Sequence, residues 1–228
     1  MRFAILVFPG SNCDHDAYQV VRHVLKEEAE FVWHRQDSLD DFDAVIIPGG
    51  FSYGDYLRSG AIARFSPIMQ AVQAFANQGG LVLGICNGFQ VLVEAGMLPG
   101  ALVHNHNLRF ISRMVHLKPE NGGSPFTAGL DLDRTYKLPM AHQSGNYLVS
   151  PAELAELEKH GQIAFRYATR EGKIVPEANP NGSCGNIAGV VNREKNVLGL
   201  MPHPERAAEA ILGSMDGLAL FKSMIGIS

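Results

Sequence analysis

The chain has few cysteines, one tryptophan and no long apolar run. Three cysteines in 228 residues cannot all pair with one another, and they lack the spacing of a disulfide framework. This usage favours a reducing compartment, and we expect a cytoplasmic location. No apolar stretch approaches the roughly 18 residues that a transmembrane helix needs. The apolar run at residues 3–8 is also shorter than the hydrophobic region of a signal peptide.

Strong charge of either sign is missing as well. The 19 basic and 23 acidic residues give a net charge of −4. Such a surface has no long-range attraction for phosphate backbones or anionic lipids, so we expect neither nucleic acid nor a membrane as partner. The phosphate-binding pattern G-x-x-x-x-G-K-[ST] is absent. Apolar residues make up 46% of the chain and charged residues 18%, which excludes a disordered or fibrous protein.

Short runs of valine, isoleucine and leucine alternate with amphipathic stretches in the first half of the chain. This pattern predicts buried strands at residues 2–8, 30–34, 43–48 and 81–85, and helices at residues 14–29, 67–77 and 88–95. Ser66 and Pro67 suit the N-cap and first position of the second helix. Apolar strands separated by helices predict an α/β fold whose mostly parallel sheet is covered on both faces.

From about residue 101 the alternation gives way to strands joined by loops. We predict strands at residues 102–105, 110–117, 135–140, 163–167, 186–191 and 197–200, and a closing helix around residues 217–225. These strands suggest an antiparallel elaboration of the sheet. Because no linker, charge block or repeat is present, we expect one domain, residues 1–228.

The strongest chemical signal is the turn Gly84-Ile85-Cys86-Asn87-Gly88 between a predicted strand and a predicted helix. A G-x-nucleophile-x-G turn in this context exposes its central side chain at the carboxyl end of a strand. The following helix N-terminus favours a thiolate, and the N–H of Asn87 points to where an oxyanion would form. A buried structural cysteine is the alternative interpretation.

A base and its orienting partner are available in His203-Pro204-Glu205. In extended backbone, positions i and i+2 project to one side, so Glu205 can accept a hydrogen bond from His203 while the other ring nitrogen faces Cys86. We expect Pro202 and Pro204 to keep this segment out of a helix. An ordinary proline-rich loop is the alternative.

A loop after another strand, Pro48-Gly49-Gly50, provides a second oxyanion donor. The strands before Pro48 and before Cys86 form one β-α-β unit, so their carboxyl ends lie at the same edge of the sheet. We expect Gly50 to let a backbone N–H approach a substrate oxygen and to pair with Asn87 in an oxyanion hole. A simple turn is the alternative.

Two other sequence patterns are weaker indications of a functional site. The stretch from Gly50 to Gly54 places Ser52 in the G-x-S-x-G pattern of serine hydrolases, but no clear helix follows directly. His104 and His106 have the spacing of metal ligands on a strand, but no further cysteine or histidine ligand is near them in the sequence. We expect no metal site.

Together, residues 84–88, 203–205 and 48–50 resemble the class I, or triad, glutamine amidotransferase family. Residues 8–14, 48–58 and 84–90 are similar to the glutaminase subunits of phosphoribosylformylglycinamidine synthases, which serve an ATP-dependent amidation in purine biosynthesis. The resemblance runs from the first strand to Glu205. It implies a flavodoxin-like three-layer fold with a mostly parallel central sheet and an antiparallel elaboration.

The resemblance also implies roles for individual residues. Cys86 would attack the carboxamide of glutamine, and His203, oriented by Glu205, would take the thiol proton and deliver one to departing ammonia. Gly50 and Asn87 would hold the oxyanion, while Gln90 matches a position that contacts bound glutamine.

Cofactors and partners follow from the same resemblance. No cofactor or metal is expected in this chain, whereas ATP and magnesium are expected in a partner synthase subunit. A further small subunit is expected in the same complex.

One loop departs from the family pattern. Residues 141–147 read Ala-His-Gln-Ser-Gly-Asn-Tyr, whereas family members carry Gly-Glu-Gly after the histidine, so we assign no catalytic role there. Two other functions remain open: a free-standing cysteine amidohydrolase of the same fold, and a non-catalytic binding module. The intact set of Cys86, His203 and Glu205 counts against the module.

Overall fold

A computed structural model describes residues 1–227, which form an α/β fold around one large mixed sheet. The strands are β1 (Arg2–Val7), β2 (Glu28–Trp33), β3 (Ala44–Ile47), β4 (Leu81–Ile85), β5 (Ala101–Val103), β6 (Ile111–Pro119), β7 (Tyr136–His142), β8 (Asn146–Leu148), β9 (Ile163–Ala168), β10 (Ile187–Val191) and β11 (Val197–Leu200). The α-helices are α1 (Asp14–Gln19), α2 (Pro67–Asn77), α3 (Asn87–Glu94), α4 (Pro151–Lys159) and α5 (Asp216–Met224).

The sheet has a parallel half and an antiparallel half. Its order is β2-β1-β3-β4-β11-β10-β9-β6-β7, and the first five strands in this order are parallel. The order 2-1-3-4 followed by a further parallel strand is that of flavodoxin-like sheets. The remaining strands pair antiparallel, and β5 and β8 form a separate two-stranded sheet. The predicted fold class is therefore confirmed.

The strands at the centre of the parallel half are buried along their whole length. Every residue of β3 and β11 is buried, as expected for strands covered on both faces. β3 pairs with β4 so that Ile47 lies opposite Gly84. The loops that follow these two strands therefore begin side by side at the same edge of the sheet, which is where the candidate site lies.

The first predicted helix, residues 14–29, is too long. After α1 the chain makes a π-helical turn, Val20–Val24, and Lys26 adopts a left-handed conformation with φ 65° that ends the helix. The N–H of Glu28 then donates to Met1 O, which starts the pairing of β2 with β1. The backbone reversal at Lys26 thus converts the last part of the predicted helix into the start of an edge strand.

Ser66 occupies the predicted N-cap position of α2, but its side chain does not cap the helix. Its hydroxyl instead lies 3.0 Å from the hydroxyl of Tyr53.

In the second half of the chain, β8 and α4 lie where the sequence predicts no helix or strand. α4 carries a capping box between Ser150 and Glu153, with Pro151 at its first position.

The described helices are all short. Within residues 1–227, no helix is both long enough and apolar enough to cross a membrane.

Candidate active site

Cys86 lies at the turn between β4 and α3, in a backbone conformation that few residues adopt. Its φ of 50° and ψ of −103° are strained for a residue with a side chain. Two glycines make this turn possible. A Cβ atom at Gly88 would lie 1.9 Å from Ile47 O, and one at Gly84 would lie 2.5 Å from a methyl carbon of Leu92. The predicted strand–turn–helix context of Cys86 is therefore present.

His203 and Glu205 form a buried pair. His203 Nδ1 lies 2.6 Å from Glu205 Oε1, and both side chains are almost completely excluded from solvent. The backbone N–H of His203 donates to Pro139 O at 2.8 Å, which fixes the histidine against β7. The prediction that this segment stays out of a helix is wrong in part. A short 3-10 helix, Pro204–Ala207, begins at the second proline, which needs no N–H acceptor at a first helical position.

The charge on this histidine follows from its neighbours. Burial acts to lower the pKa of His203, but the carboxylate of Glu205 and the sulfur of Cys86 raise that pKa well above its usual value. His203 is therefore held as an imidazolium beside Cys86. Because Nδ1 is taken by Glu205, Nε2 is the atom left to exchange a proton with the thiol.

The loop after β3 presses against Cys86. A Cβ atom at Gly49 would lie 3.5 Å from the Cβ of Cys86. Gly50 has a φ of 141°, and a side chain there would meet the N atom of Asn12 at 2.7 Å. Asn87 is the first residue of α3, so the helix leaves its backbone N–H without an internal acceptor. These positions suit the predicted oxyanion hole.

The side chain of Asn87 has a role that sequence reasoning missed. Its Oδ1 accepts a hydrogen bond from the N–H of Ser52 at 3.0 Å, and its Nδ2 donates to Asp55 and to Gln90. Asn87 thus ties the loop after β3 to the nucleophile turn. Ser52 itself lies in a 3-10 turn, Ser52–Asp55, so the strand–turn–helix context of a serine nucleophile is missing there.

A cavity of about 770 Å³ opens in front of Cys86. Its lining includes His203 and Gln90. The amide of Gln90 is engaged at both ends, since its Oε1 accepts from Asn87 and its Nε2 donates to Ser144 O. Gln90 therefore holds the loop after β7 in place, and its contact with glutamine stays a prediction.

His142, at the end of β7, also lines this cavity. Burial and the positive charge of His203 lower the pKa of His142 to about 3, so its ring is neutral. Its Nδ1 lies 3.1 Å from Asn105 Oδ1, which also accepts from the N–H of Gly145. Asn105 Oδ1 can only accept, so the ring proton of His142 lies on Nδ1. Because this loop departs from the family pattern, the sequence does not point to the neutral imidazole of His142.

His104 and His106 do not form a metal site with a third ligand in the part of the chain that the structure describes. His104 Nδ1 instead lies 2.8 Å from the hydroxyl of Ser144.

The chain matches known proteins along nearly its whole length. Residues 1–217 match the model of the CobB/CobQ-like glutamine amidotransferase domain. The chain belongs to this family. It is 55% identical over 226 residues to the phosphoribosylformylglycinamidine synthase subunit PurQ of Koribacter versatilis, covering 99% of this chain and 98% of that protein. It is also 55% identical over 224 residues to the same subunit of Salinibacter ruber, covering 98% of this chain and 95% of that protein.

A solved structure supports the same family assignment. The chain resembles a chain of the structure of PurLQS from Thermotoga maritima, with a TM-score of 0.87 and 40% identity over 99% of this chain and 97% of that one. The family expected from residues 84–88, 203–205 and 48–50 is thus confirmed. Because the matched glutamine amidotransferase domain spans residues 1–217, it includes every predicted site residue of this chain.

Proposed function

We propose that this chain is the glutaminase subunit of a phosphoribosylformylglycinamidine synthase in purine biosynthesis. In this function it hydrolyses glutamine to glutamate and ammonia and passes the ammonia to a synthase subunit. The observation that carries the proposal is the buried His203–Glu205 pair beside Cys86, set in a strained strand-to-helix turn. The high identity to PurQ subunits over the full length supports the same function.

The chemistry follows from the positions of the side chains. The thiolate of Cys86 attacks the carboxamide carbon of glutamine, and the oxygen of the tetrahedral intermediate accepts from the N–H groups of Gly50 and Asn87. His203 donates its Nε2 proton to the departing nitrogen, which leaves as ammonia. The glutamyl thioester is then attacked by a water that His203 deprotonates, and glutamate leaves as the thiolate forms again.

Glu205 acts on this cycle through His203. Its carboxylate fixes the ring and stabilises the imidazolium, so it orients the base and takes no proton itself. Gln90 is proposed as a contact of the bound glutamine, since it lies on the cavity wall.

The mouth of the cavity supports the presence of a protein partner. Phe51, Leu57 and Phe110 line the cavity and are exposed, and Tyr56 and Leu108 are exposed beside them. We call these five residues the apolar rim. A cluster of exposed large apolar side chains next to a site is typical of a surface that another protein covers. The proposed partner is a synthase subunit that binds ATP and magnesium, with a further small subunit in the complex.

The loop that carries part of this rim is strained. Tyr53, Asp55 and Leu57 adopt left-handed conformations with φ of 53°, 53° and 70°. Strained backbone near a site persists where surrounding structure holds it, and it suits a loop that changes when a partner docks. We therefore propose that the isolated chain has little glutaminase activity and that the synthase subunit raises it.

The proposed location is the cytoplasm. Cys13, Cys86 and Cys184 are all free, which suits a reducing compartment.

Exposure of the chain to a glutamine-like electrophile, followed by intact mass and peptide mapping, tests the proposed function. We expect one adduct on Cys86, formed faster in the presence of the synthase subunit, and none in Cys86→Ala. Cys184→Ser is the matched control and should label like the parent chain. Full glutaminase turnover by the isolated chain would favour a free-standing amidohydrolase, and failure of Cys86 to label would favour a binding module.

A further inference from the structure

One carboxylate in the wall of the cavity in front of Cys86 is held by neutral groups. Among residues 1–227, Asp55 is the only one with a carboxyl group that lines this cavity. The side chain is half-buried, and its burial raises the pKa of Asp55. Hydrogen bonds from Ser59 and Asn87 act to lower that pKa, and both donors are uncharged.

The two guanidinium groups on the same wall are already paired. Arg58 donates to Glu94 from Nε at 2.6 Å and from Nη2 at 2.7 Å. Arg206 Nε donates to Asp16 at 2.9 Å. Because a carboxylate that leaves water is costly without a partner of opposite charge, Asp55 is open to a cationic ligand from the cavity.

Asp55 lies beside the turn that carries the nucleophile. Its Oδ1 accepts from Asn87 Nδ2 at 3.2 Å, and the same amide nitrogen donates to Gln90 Oε1 at 2.9 Å. Asn87 directly follows Cys86 in the chain. The carboxylate is therefore separated from the nucleophile turn by a single side chain.

We propose that Asp55 binds the α-ammonium group of glutamine and so determines which amides the site accepts. This inference rests on the proposed function and extends it to recognition of the substrate. When the carboxamide lies at Cys86, the ammonium group lies a few carbon atoms away, along the wall that carries Gln90 and Asp55. A carboxylate offers about four lone-pair sites, so the hydrogen bonds from Ser59 and Asn87 leave room for the ammonium donor.

This contact selects amides that are also amino acids. Glutaramate keeps the carboxylate and the carboxamide of glutamine but lacks the ammonium group, so it leaves Asp55 unpaired. A site that binds a polar group rejects an analogue without it, because the polar group of the site is then covered without a partner. Since the ammonium group takes no part in bond breaking, loss of the contact should raise KM more than it lowers kcat.

Binding is measured by calorimetry on the complex of Cys86→Ala with the synthase subunit, which holds substrate without turnover. We expect glutamine to bind at least about tenfold more tightly than glutaramate, the effect of one hydrogen bond to a charged group. Asp55→Asn keeps an Oδ1 that accepts from Asn87 but removes the charge. It should weaken glutamine binding at least about tenfold and leave glutaramate binding nearly unchanged. Asp133→Asn, at an exposed position that does not line the cavity, is the matched control and should bind both amides like the parent.

Turnover is measured on the complex with Cys86 intact. In Asp55→Asn, the ratio of kcat/KM for glutamine to kcat/KM for glutaramate should fall at least about tenfold, mainly through a higher KM for glutamine. A purely structural role of Asp55 would lower both values together and leave the ratio unchanged.

An unchanged ratio, equal binding of the two amides by the parent complex, or no binding of glutamine at all would overturn the assignment of Asp55. A different result would contradict the proposed function alone. If Asp55→Asn selectively loses glutamine binding but the parent complex never hydrolyses glutamine, the ammonium site stands and the proposed reaction does not.

Discussion

His203 Nδ1 and Glu205 Oε1 lie 2.6 Å apart with side-chain exposures of 2% and 0%. A buried carboxylate at this distance offsets the cost of a buried imidazolium, which explains why the pKa of His203 is raised in spite of its burial. Cys86 lies beside the same ring. In the proposed reaction, the charged ring supplies the proton that the departing nitrogen takes up.

Removal of the base should cost more than removal of its orienting partner. His203→Ala eliminates the group that transfers protons, and we expect kcat/KM for glutamine to fall by about 10²–10⁴-fold. Glu205→Gln keeps an oxygen that can accept from Nδ1, so its loss should be smaller. Steady-state kinetics of both variants in the complex check the order. A larger effect of Glu205→Gln would show that the roles are assigned wrongly.

The pH dependence of kcat/KM should change when the carboxylate of Glu205 is replaced. Since this carboxylate raises the pKa of His203, Glu205→Gln lowers that pKa. The alkaline limb of kcat/KM, along which activity falls as the imidazolium loses its proton, should move to lower pH. Glu209→Gln, four residues along, is the matched control and should leave the limb in place. An unmoved limb in Glu205→Gln would mean that the limb does not report His203.

Cys86 should be the one rapidly alkylated thiol at neutral pH. Cys86 lies beside an imidazolium and on the cavity wall, whereas Cys184 is more exposed but lacks such a partner. Burial raises the pKa of Cys13 and keeps its thiol protonated. Timed iodoacetamide labelling with peptide mapping measures all three rates. Equal labelling of Cys13 or Cys184 would contradict the account.

The apolar rim should control assembly. Leu57 is 80% exposed at the cavity mouth, so a charge there should disturb a partner interface without disturbing the core. We expect Leu57→Asp to weaken binding to the synthase subunit at least about tenfold, because covering an unpaired carboxylate with an apolar partner surface costs more than the about 1.4 kcal/mol that a tenfold change requires. Ile211→Asp, at a 91% exposed position that does not line the cavity, is the control. Titration by light scattering or calorimetry distinguishes the two variants.

The sequence predicts the parallel half of the fold well, and it singles out Cys86, His203 and Glu205 as candidates, because both inferences depend on local patterns. β3 is a continuous apolar run, β4 is apolar except for Gly84, and Cys86 stands in a turn whose flanking glycines, Gly84 and Gly88, have no room for a side chain. The end of the first helix was harder to predict, because it depends on one left-handed residue, Lys26, and on pairing with β1.

The missed features depend on contacts between distant parts of the chain or on weak apolar patterns. α4 buries only Leu157, so periodicity does not reveal it, although the capping box of Ser150 and Glu153 is a usable signal. The clamp from Asn87 to Ser52 and the approach of Cys13 to His203 join segments far apart in sequence. No local pattern predicts such contacts.

Reconstitution of Cys86→Ala with the synthase subunit tests the central claim most directly. The product of the ligation is measured with glutamine and, separately, with added ammonia as the nitrogen source. We predict that glutamine no longer supports synthesis while ammonia supports it at the rate of the parent complex. Loss of both activities would show that Cys86 is structural, and retention of glutamine-dependent synthesis would show that Cys86 is not the nucleophile.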